Sequence, residues 1–521
     1  LRTGIIVYRQ VLSVGGLTLV SRAFGFLRDI VTAVLLGAGP VADAFFIAFR
    51  LPNHFRALFA EGAFNAAFVP VFSATLVQDG EAAARRFAEE VQAVLLAVQL
   101  VLLVVFVAIM PWFMLVFAPG FADEPERFDL AVLFTRITFP YLLFISLVSL
   151  QGAMLNGVGR FAAAASAPVL LNLCLIGALL GLTPVMPTPG HALAVGVLVA
   201  GIAQFLFLAA DCRRAGLSLR LRRPRFTPGV RRFLAVLGPA ALGAGLTQIS
   251  LFADTLIASL LPTGAVSYLY YADRLNQLPL GVIGIAVGTV LLPEMARRIK
   301  RGDEAGAVDS QNRAIEMSLL LTLPAAAAFL VAGPAIMAVL FRHGAFTGPD
   351  ADASAATLAA YAWGLPAFVA IRSLVSGFHA RQDTATPVRL AIWAMAVNVV
   401  LKVLFMEPLA QTGLALATSV SAWTNAGLLA WWLHRRRLFT ADARLRRNLP
   451  RMVLAAGGMA VVLWTVQRGL GDALTGGGAV SRVLALCVLV GMGMATYGAL
   501  AWVLGLARPA DIQRMLRRRP A

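Results

Sequence analysis

Arg22, Arg28, Arg50, Arg56, Arg274, Arg372 and Lys402 all lie inside apolar stretches long enough to cross a bilayer. A cation at bilayer depth costs about 2.5–3.5 kcal/mol even on the lenient insertion scale, so it faces a wet cavity or a partner. A chain with this pattern has to fold as a bundle of membrane helices with a polar interior. Four of the seven, Arg22 to Arg56, fall on the first two expected helices. Guanidinium groups clustered in such an interior point to something anionic held there.

The chain is 59% hydrophobic and 13% charged, where soluble domains run at about 25% charged. We therefore expect an all-α integral membrane protein of fourteen transmembrane helices. Hydropathy puts the first seven at 10–36, 41–76, 84–116, 128–155, 161–183, 190–211 and 231–260. The rest fall at 264–295, 310–333, 352–379, 386–405, 411–434, 447–467 and 480–505. The second stretch is too long for a straight crossing and contains Pro52 and Pro70, so it should bend or unwind. No cleavable signal peptide is expected, because the apolar region after Arg2 and Arg9 runs on to Leu36 and carries charges.

The net charge of +18 is an orientation signal. With the N-terminus in the cytoplasm, the opposite side holds only Arg127, Arg136, Arg342, Arg468 and Arg482. The remaining basic residues outside the apolar stretches share the N-terminal side, so both termini should be cytoplasmic. No nucleic-acid partner is implied. The loop Arg213 to Arg232 reads as topogenic or as lying on anionic headgroups.

The sequence repeats at an offset of about 225 residues. Ala48-Phe49-Arg50-Leu51 answers Ala272-Asp273-Arg274-Leu275, and Val69-Pro70 answers Leu292-Pro293. Pro140 pairs with Pro366, Gly152 with Gly377 and Asn172 with Asn398. Two pseudo-symmetric six-helix lobes are expected, 1–213 (helices 1–6) and 230–437 (helices 7–12). Helices 13 and 14 (446–506) and a basic cytoplasmic tail (507–521) fall outside the repeat. A duplicated helical bundle around a cavity is the architecture of an alternating-access transporter.

Within the first helix, Arg22 and Asp29 are seven apart and share a face, with Arg28 turned about 100° away. Gly25 thins that helix for a close approach. Helix 2 adds Asp43, Arg50 and Arg56, and helix 8 brings Arg274 after Tyr270-Tyr271-Ala272-Asp273. If both lobes face one cavity, Arg28, Arg56 and Arg274 converge on one anion, and guanidinium forks suit phosphate oxygens. The alternative is structural pairing with Asp29, Asp43, Glu61 or Asp273, or snorkelling to the interface. Arg50 and Arg372 we assign to structure.

These same residues carry a resemblance. Ser21-Arg22, Gly25-Phe26-x-Arg28-Asp29, Gly37-Ala38-Gly39, Asp43-Ala44-Phe45 and Leu51-Pro52-Asn53 to Phe59-Ala60-Glu61-Gly62-Ala63-Phe64 resemble the bacterial lipid II flippase (MurJ, formerly MviN) family. So do Tyr270-Tyr271-Ala272-Asp273-Arg274-Leu275 and Arg381-Gln382-Asp383-Thr384-x-Thr386-Pro387, and the likeness spans about 10–505. That family belongs to the multidrug/oligosaccharidyl-lipid/polysaccharide exporter superfamily.

The resemblance implies fourteen helices, a cationic cavity, and a groove involving the last two helices for a polyprenyl tail. It implies flipping of lipid II, an undecaprenyl-pyrophosphate-linked disaccharide-pentapeptide, from the cytoplasmic to the periplasmic leaflet for cell wall synthesis. Arg28, Asp29, Arg56 and Arg274 match the family's essential cavity residues, and Arg22 and Asp43 match further sensitive positions. The location implied is the bacterial inner membrane, with membrane lipids and cell-wall synthesis machinery as partners. Some members hold sodium on helices 7, 11 and 12, where this chain has Asp254, Asn398, Lys402 and Thr418. Lys402 stands where an acid would be. Asn398 and Lys402 are one turn apart on one face, and the ammonium either replaces sodium beside Asp254 or forms a constitutive salt bridge.

Neither cofactor nor metal is expected. Cys174, Cys212 and Cys487 have no ligand or disulfide spacing. His54, His191, His343, His379 and His434 are scattered, mostly at loops and helix ends, without a catalytic arrangement. A membrane glycosyltransferase would need carboxylates such as those of Asp123-Glu124-Pro125-Glu126 or Pro349-Asp350-Ala351-Asp352, which read as solvated turns or caps. A drug or cation antiporter would offer an acidic, aromatic cavity rather than arginines. A flippase for another polyprenyl-pyrophosphate-linked oligosaccharide remains the alternative.

Overall fold

The computed structural model describes residues 2–59 and 62–506. Among them there are helices, turns and irregular connections, with no strand. In chain order the helices are α1 (Arg2–Leu36), α2 (Pro40–Phe59), α3 (Gly62–Gln78), α4 (Gly80–Phe117), α5 (Pro125–Thr138) and α6 (Tyr141–Gly157). Then come α7 (Ala162–Leu182), α8 (Pro189–Arg214), α9 (Pro228–Ser259), α10 (Ala265–Lys300), α11 (Glu304–Phe341) and α12 (Gly348–Ala362). The last are α13 (Leu365–His379), α14 (Ala385–Arg435), α15 (Ala443–Gly469), the short α16 (Gly471–Thr475) and α17 (Ala479–Val503). Nine helical runs among the described residues are long and apolar enough to cross a membrane. α4 and α11 have 38 residues each, about 57 Å at 1.5 Å per residue, so both outrun a hydrocarbon core of about 30 Å.

Proline explains where several of these helices break. The stretches expected as single helices over 128–155 and 352–379 are each two. α5 gives way to α6 at Phe139-Pro140, and α12 to α13 at Trp363-Gly364, two residues before Pro366. Pro140 has no N–H to return to the carbonyl one turn earlier. Tighter three-residue bonds take over there, from the Leu142 amide to Phe139 O at 3.0 Å and from Leu143 to Pro140 O at 3.1 Å. At the second break the side chains of α14 supply donors. Ser419 Oγ donates to Ala360 O at 2.6 Å, and Trp423 Nε1 donates to Trp363 O at 2.7 Å. The two breaks fall at the same place in the repeat.

In the long stretch 41–76, Pro52 sits inside α2 and Pro70 inside α3. Residues 60 and 61, Glu61 among them, lie outside the described residues. α14 is two helical segments in one run, separated at Ala410 by non-helical backbone (φ 46°, ψ −130°).

The chain forms two compact units, 1–267 and 268–521. In the first, a ladder of rings ties three helices together. Phe64, Phe68 and Phe72 stack along α3 at centroid spacings of 5.5 and 5.4 Å, as side chains four apart do on a helix. Phe87 of α4 stacks on Phe68 at 5.5 Å, and Phe233 of α9 meets Phe64 edge-on at 5.5 Å. α9 therefore packs within the first unit. In the second, α11, α13 and the end of α14 share a core of Ile315, Leu374, Phe378, Leu429 and Leu433. α15 and α17 pack on α11 through Met452, Ala455 and Ala501 against Leu319, Leu320 and Leu323. Tyr497 Oη donates to Leu320 O at 2.7 Å.

Candidate functional site

On α1, Arg28 and Asp29 are brought together. Arg28 curls back so that Nη2 and Nε reach Asp29 Oδ1 at 2.6 and 3.1 Å. Its Nη1 donates to Asn172 Oδ1 of α7 at 3.0 Å. The Asn172 amide nitrogen in turn donates to Ser21 O at 3.0 Å. Gly25 faces this amide, and a Cβ there would stand 3.4 Å from the Asn172 side chain, an ordinary van der Waals contact. The close approach expected of Gly25 is thus made by a helix. Arg28 and Asp29 are almost wholly withdrawn from solvent, with side chains 11% and 5% exposed. A guanidinium held on two sides in this way is oriented in advance. Arg22, two turns before Asp29, is half-buried. Sequence reasoning had noted Asn172 only as a repeat partner of Asn398.

Asp43 has a different setting. It is fully buried and accepts from Arg127 Nη2 at 2.7 Å, the Gly264 amide at 2.7 Å, the Ser267 amide at 2.9 Å and Ser267 Oγ at 2.6 Å. The two amides belong to the start of α10, so Asp43 caps that helix end. Arg127, expected in an outer loop, is 1% exposed and lies over the Phe121 ring at 3.8 Å. A single arginine beside two glutamates reads as a solvated loop in sequence; only the fold shows that Asp43 needs it.

Further along α2, Arg56 Nε donates to Asn53 Oδ1 at 3.2 Å. Arg50 Nη1 reaches Thr255 Oγ1 of α9 at 3.5 Å. His54 Nδ1 lies 2.9 Å from Gln248 Oε1, also of α9. The histidine that sequence alone dismissed therefore belongs to a polar seam between α2 and α9.

In the second unit, Arg274 stacks on Tyr270, its guanidinium carbon 4.6 Å from the ring centre. Arg372 of α13 lies against Gly284 of α10, where a Cβ would come within 2.7 Å of the guanidinium. On α14, Asn398 and Lys402 are both buried, at 8% and 4% exposure, and the Asn398 Oδ1 has no hydrogen-bond partner. Thr418 Oγ1 donates to Leu414 O at 2.9 Å within its own helix. Asp254 belongs to the first unit, and Asn398, Lys402 and Thr418 to the second. Among the described residues no His, Cys, Asp and Glu group has metal-binding geometry.

The sequence model of a family described as lipid II flippase MurJ matches residues 32–473. A probable lipid II flippase MurJ of Rhizobium meliloti (strain 1021) is 46% identical over 513 residues, covering 97% of this chain and 95% of the relative. The chain belongs to the MurJ lipid II flippase family. A lipid II flippase MurJ of Burkholderia cenocepacia is 34% identical, with 96% of this chain and 98% of the relative covered. A solved MurJ structure in an inward closed conformation has the same fold, with a TM-score of 0.77 at 23% identity, covering 94% and 98% of the two chains. An inward-facing multidrug transporter of the MATE family gives 0.66 at 16% identity, covering 82% and 96%. The MurJ family chain described here is accordingly a multi-pass membrane protein, and its fold is one shared with multidrug exporters.

Proposed function

We propose that this protein flips lipid II across the bacterial inner membrane, cytoplasmic leaflet to periplasmic leaflet, by alternating access. The near full-length kinship with lipid II flippases carries this reading, because the fold alone is common to exporters of other cargo. The residues support an anionic cargo. Arg28 is preset by Asp29 and Asn172 on membrane helices, and Arg56 and Arg274 offer further guanidinium groups. We assign the pyrophosphate to these three arginines, with Asp29 orienting Arg28 and Arg22 beside them. Asp43, its acceptors filled, holds the start of α10.

Two lobes related by the duplication, 1–213 and 230–437, would exchange access, with both termini cytoplasmic. α15 and α17, outside the duplication, would give the polyprenyl tail an apolar groove. Cell-wall synthesis machinery is the natural recipient of the flipped lipid.

The deciding experiment depletes the protein and follows lipid II by leaflet. Accumulation on the cytoplasmic side, followed by lysis, is expected. Normal periplasmic lipid II in depleted cells, with no other flippase expressed, would refute the assignment.

A further inference from the structure

Glu316 is the last charged residue of α11 before its apolar run, and it is 6% exposed. A buried carboxylate has to be met by donors. Three side chains supply them: Arg313 of the same helix, Asn448 Nδ2 of α15 at 2.6 Å and Arg444 Nε of α15 at 3.2 Å. Arg313 turns its other terminal nitrogen to Asp442, which caps α15 by accepting from the Leu445 amide at 2.7 Å. Asn312, fully buried, donates to Thr440 O at 3.0 Å and accepts from the Asp442 amide at 3.2 Å. α11 thus grips both the lead-in and the first turns of α15. α17 is tied into the same assembly, because Arg451 Nη1 of α15 donates to Leu504 O at the end of α17 at 3.2 Å.

Apolar packing does little to fix where a membrane helix sits, since lipid tails are as apolar as the side chains they replace. α15 and α17 lie outside the sequence repeat and pack chiefly on each other and on α11. Leu454 and Val461, seven apart on one face of α15, are 66% and 64% exposed. Directed polar contacts therefore set the position of this helix pair, and most of them converge on Glu316 and its neighbours Asn312 and Arg313.

We infer that Glu316 is a positioning residue for the polyprenyl tail. It fixes α15, and through α15 also α17, on α11, so the tail groove moves with α11 as one body. This rests on the assignment of α15 and α17 to the tail.

The test starts from the full chain with Cys174, Cys212 and Cys487 changed to Ala, and adds Glu316→Cys together with Asn448→Cys. Flipping of undecaprenyl lipid II and of its farnesyl analogue is measured in vesicles, before and after a short bifunctional thiol reagent joins the two cysteines. Untethered, the variant should flip the undecaprenyl lipid about tenfold more slowly, the scale of losing two or three interhelical hydrogen bonds in a membrane. The farnesyl analogue, with little tail to seat, should be slowed much less. The tether should restore most of the lost rate. Undiminished flipping without the tether, equal slowing of the two lipids, or a tethered protein slower than the untethered one overturns the inference. If the cysteine pair does not fold, Glu316→Gln keeps one acceptor oxygen and should show the same tail-selective loss in smaller measure; an equal loss for both lipids overturns the inference there too. Leu454→Asn with Val461→Asn tests the groove itself. A loss confined to the undecaprenyl lipid in that variant, beside equal slowing in the Glu316 variants, refutes the positioning role alone. Tail dependence in neither refutes the groove assignment with it.

Discussion

Asp43 on α2 and Arg127 on α5 meet at 2.7 Å with side chains 0% and 1% exposed. Removing one partner leaves an uncompensated buried charge, which costs about 3–5 kcal/mol. Asp43→Ala and Arg127→Ala should each lower unfolding stability in detergent by that order. The double variant should lose clearly less than the two losses combined. Strict additivity would mean the two side chains do not depend on each other.

Arg28 should be indispensable and fork-dependent. Arg28→Ala is expected to abolish lipid II flipping while the protein stays folded in the membrane, with Arg28→Lys restoring little because an ammonium lacks the bidentate geometry. Asn172→Leu removes the second support of the guanidinium and should weaken flipping without changing membrane insertion. Full flipping by an Arg28→Ala, Arg56→Ala double variant would remove these arginines from the substrate site.

The turn before α14 should be sensitive to acid. Asp383 accepts from the Thr386 amide at 3.0 Å, from Thr386 Oγ1 at 2.7 Å and from Arg436 Nη1 at 2.8 Å. The Thr386 amide first, and then the Thr386 hydroxyl and Arg436, hold its carboxyl below the usual carboxylate range. A lowered folded pKa stabilises the fold above the unfolded value, and that contribution disappears as pH falls through the folded value. Hydrogen exchange at 381–390, taken relative to the intrinsic rate at each pH, should rise on acidification below the ordinary carboxylate range in the unaltered chain. In Asp383→Asn exchange should be raised already at neutral pH and change little. Parallel acid responses in the two proteins would show that another group controls the turn.

Gly120 cannot take a side chain. A Cβ there would lie 2.3 Å from the Ser259 carbonyl oxygen, a backbone atom with nowhere to move, whereas one on Gly39 would meet nothing within 4 Å. Gly120→Ala should lower stability by about 1–3 kcal/mol, the range for overpacking, and Gly39→Ala should not share that cost. Equal thermal midpoints for the two variants would contradict this.

Transport should follow the membrane potential and ignore sodium. Lys402 is a buried ammonium, 4% exposed, at a position where sodium-binding relatives were expected to have an acid. A potential does about 2.3 kcal/mol of work per charge per 100 mV. Cytoplasm-negative polarity favours outward movement of the anion and return of the empty cationic site. Vesicles with an imposed potential should flip lipid II equally with and without sodium. A strict sodium requirement at constant potential would rule out this role for Lys402.

What the sequence revealed and what it concealed follow from range. Apolar periodicity and proline are local, so the helical class and the segmentation of α14 were legible. The breaks at Pro140 and before Pro366 were missed because apolar runs continue unbroken across both. The burial of Arg127 was hidden for a longer-range reason: its partner is 84 residues away, and nothing near it in the chain announces the pairing. Arg28 and Asp29 were found because buried charge on an apolar helix is conspicuous, but Asn172 is a small amide that looks like packing.

The stacked rings of α3 have a mechanical consequence. Face-to-face aromatics four residues apart, fastened to α4 through Phe87 and to α9 through Phe233, resist bending in the way a laminated beam does. Tilting one of these helices away from the others would slide these rings out of register and open a gap between them. Those three helices are therefore stiff as a set, and a displacement imposed at one end arrives at the other as leverage instead of being absorbed on the way.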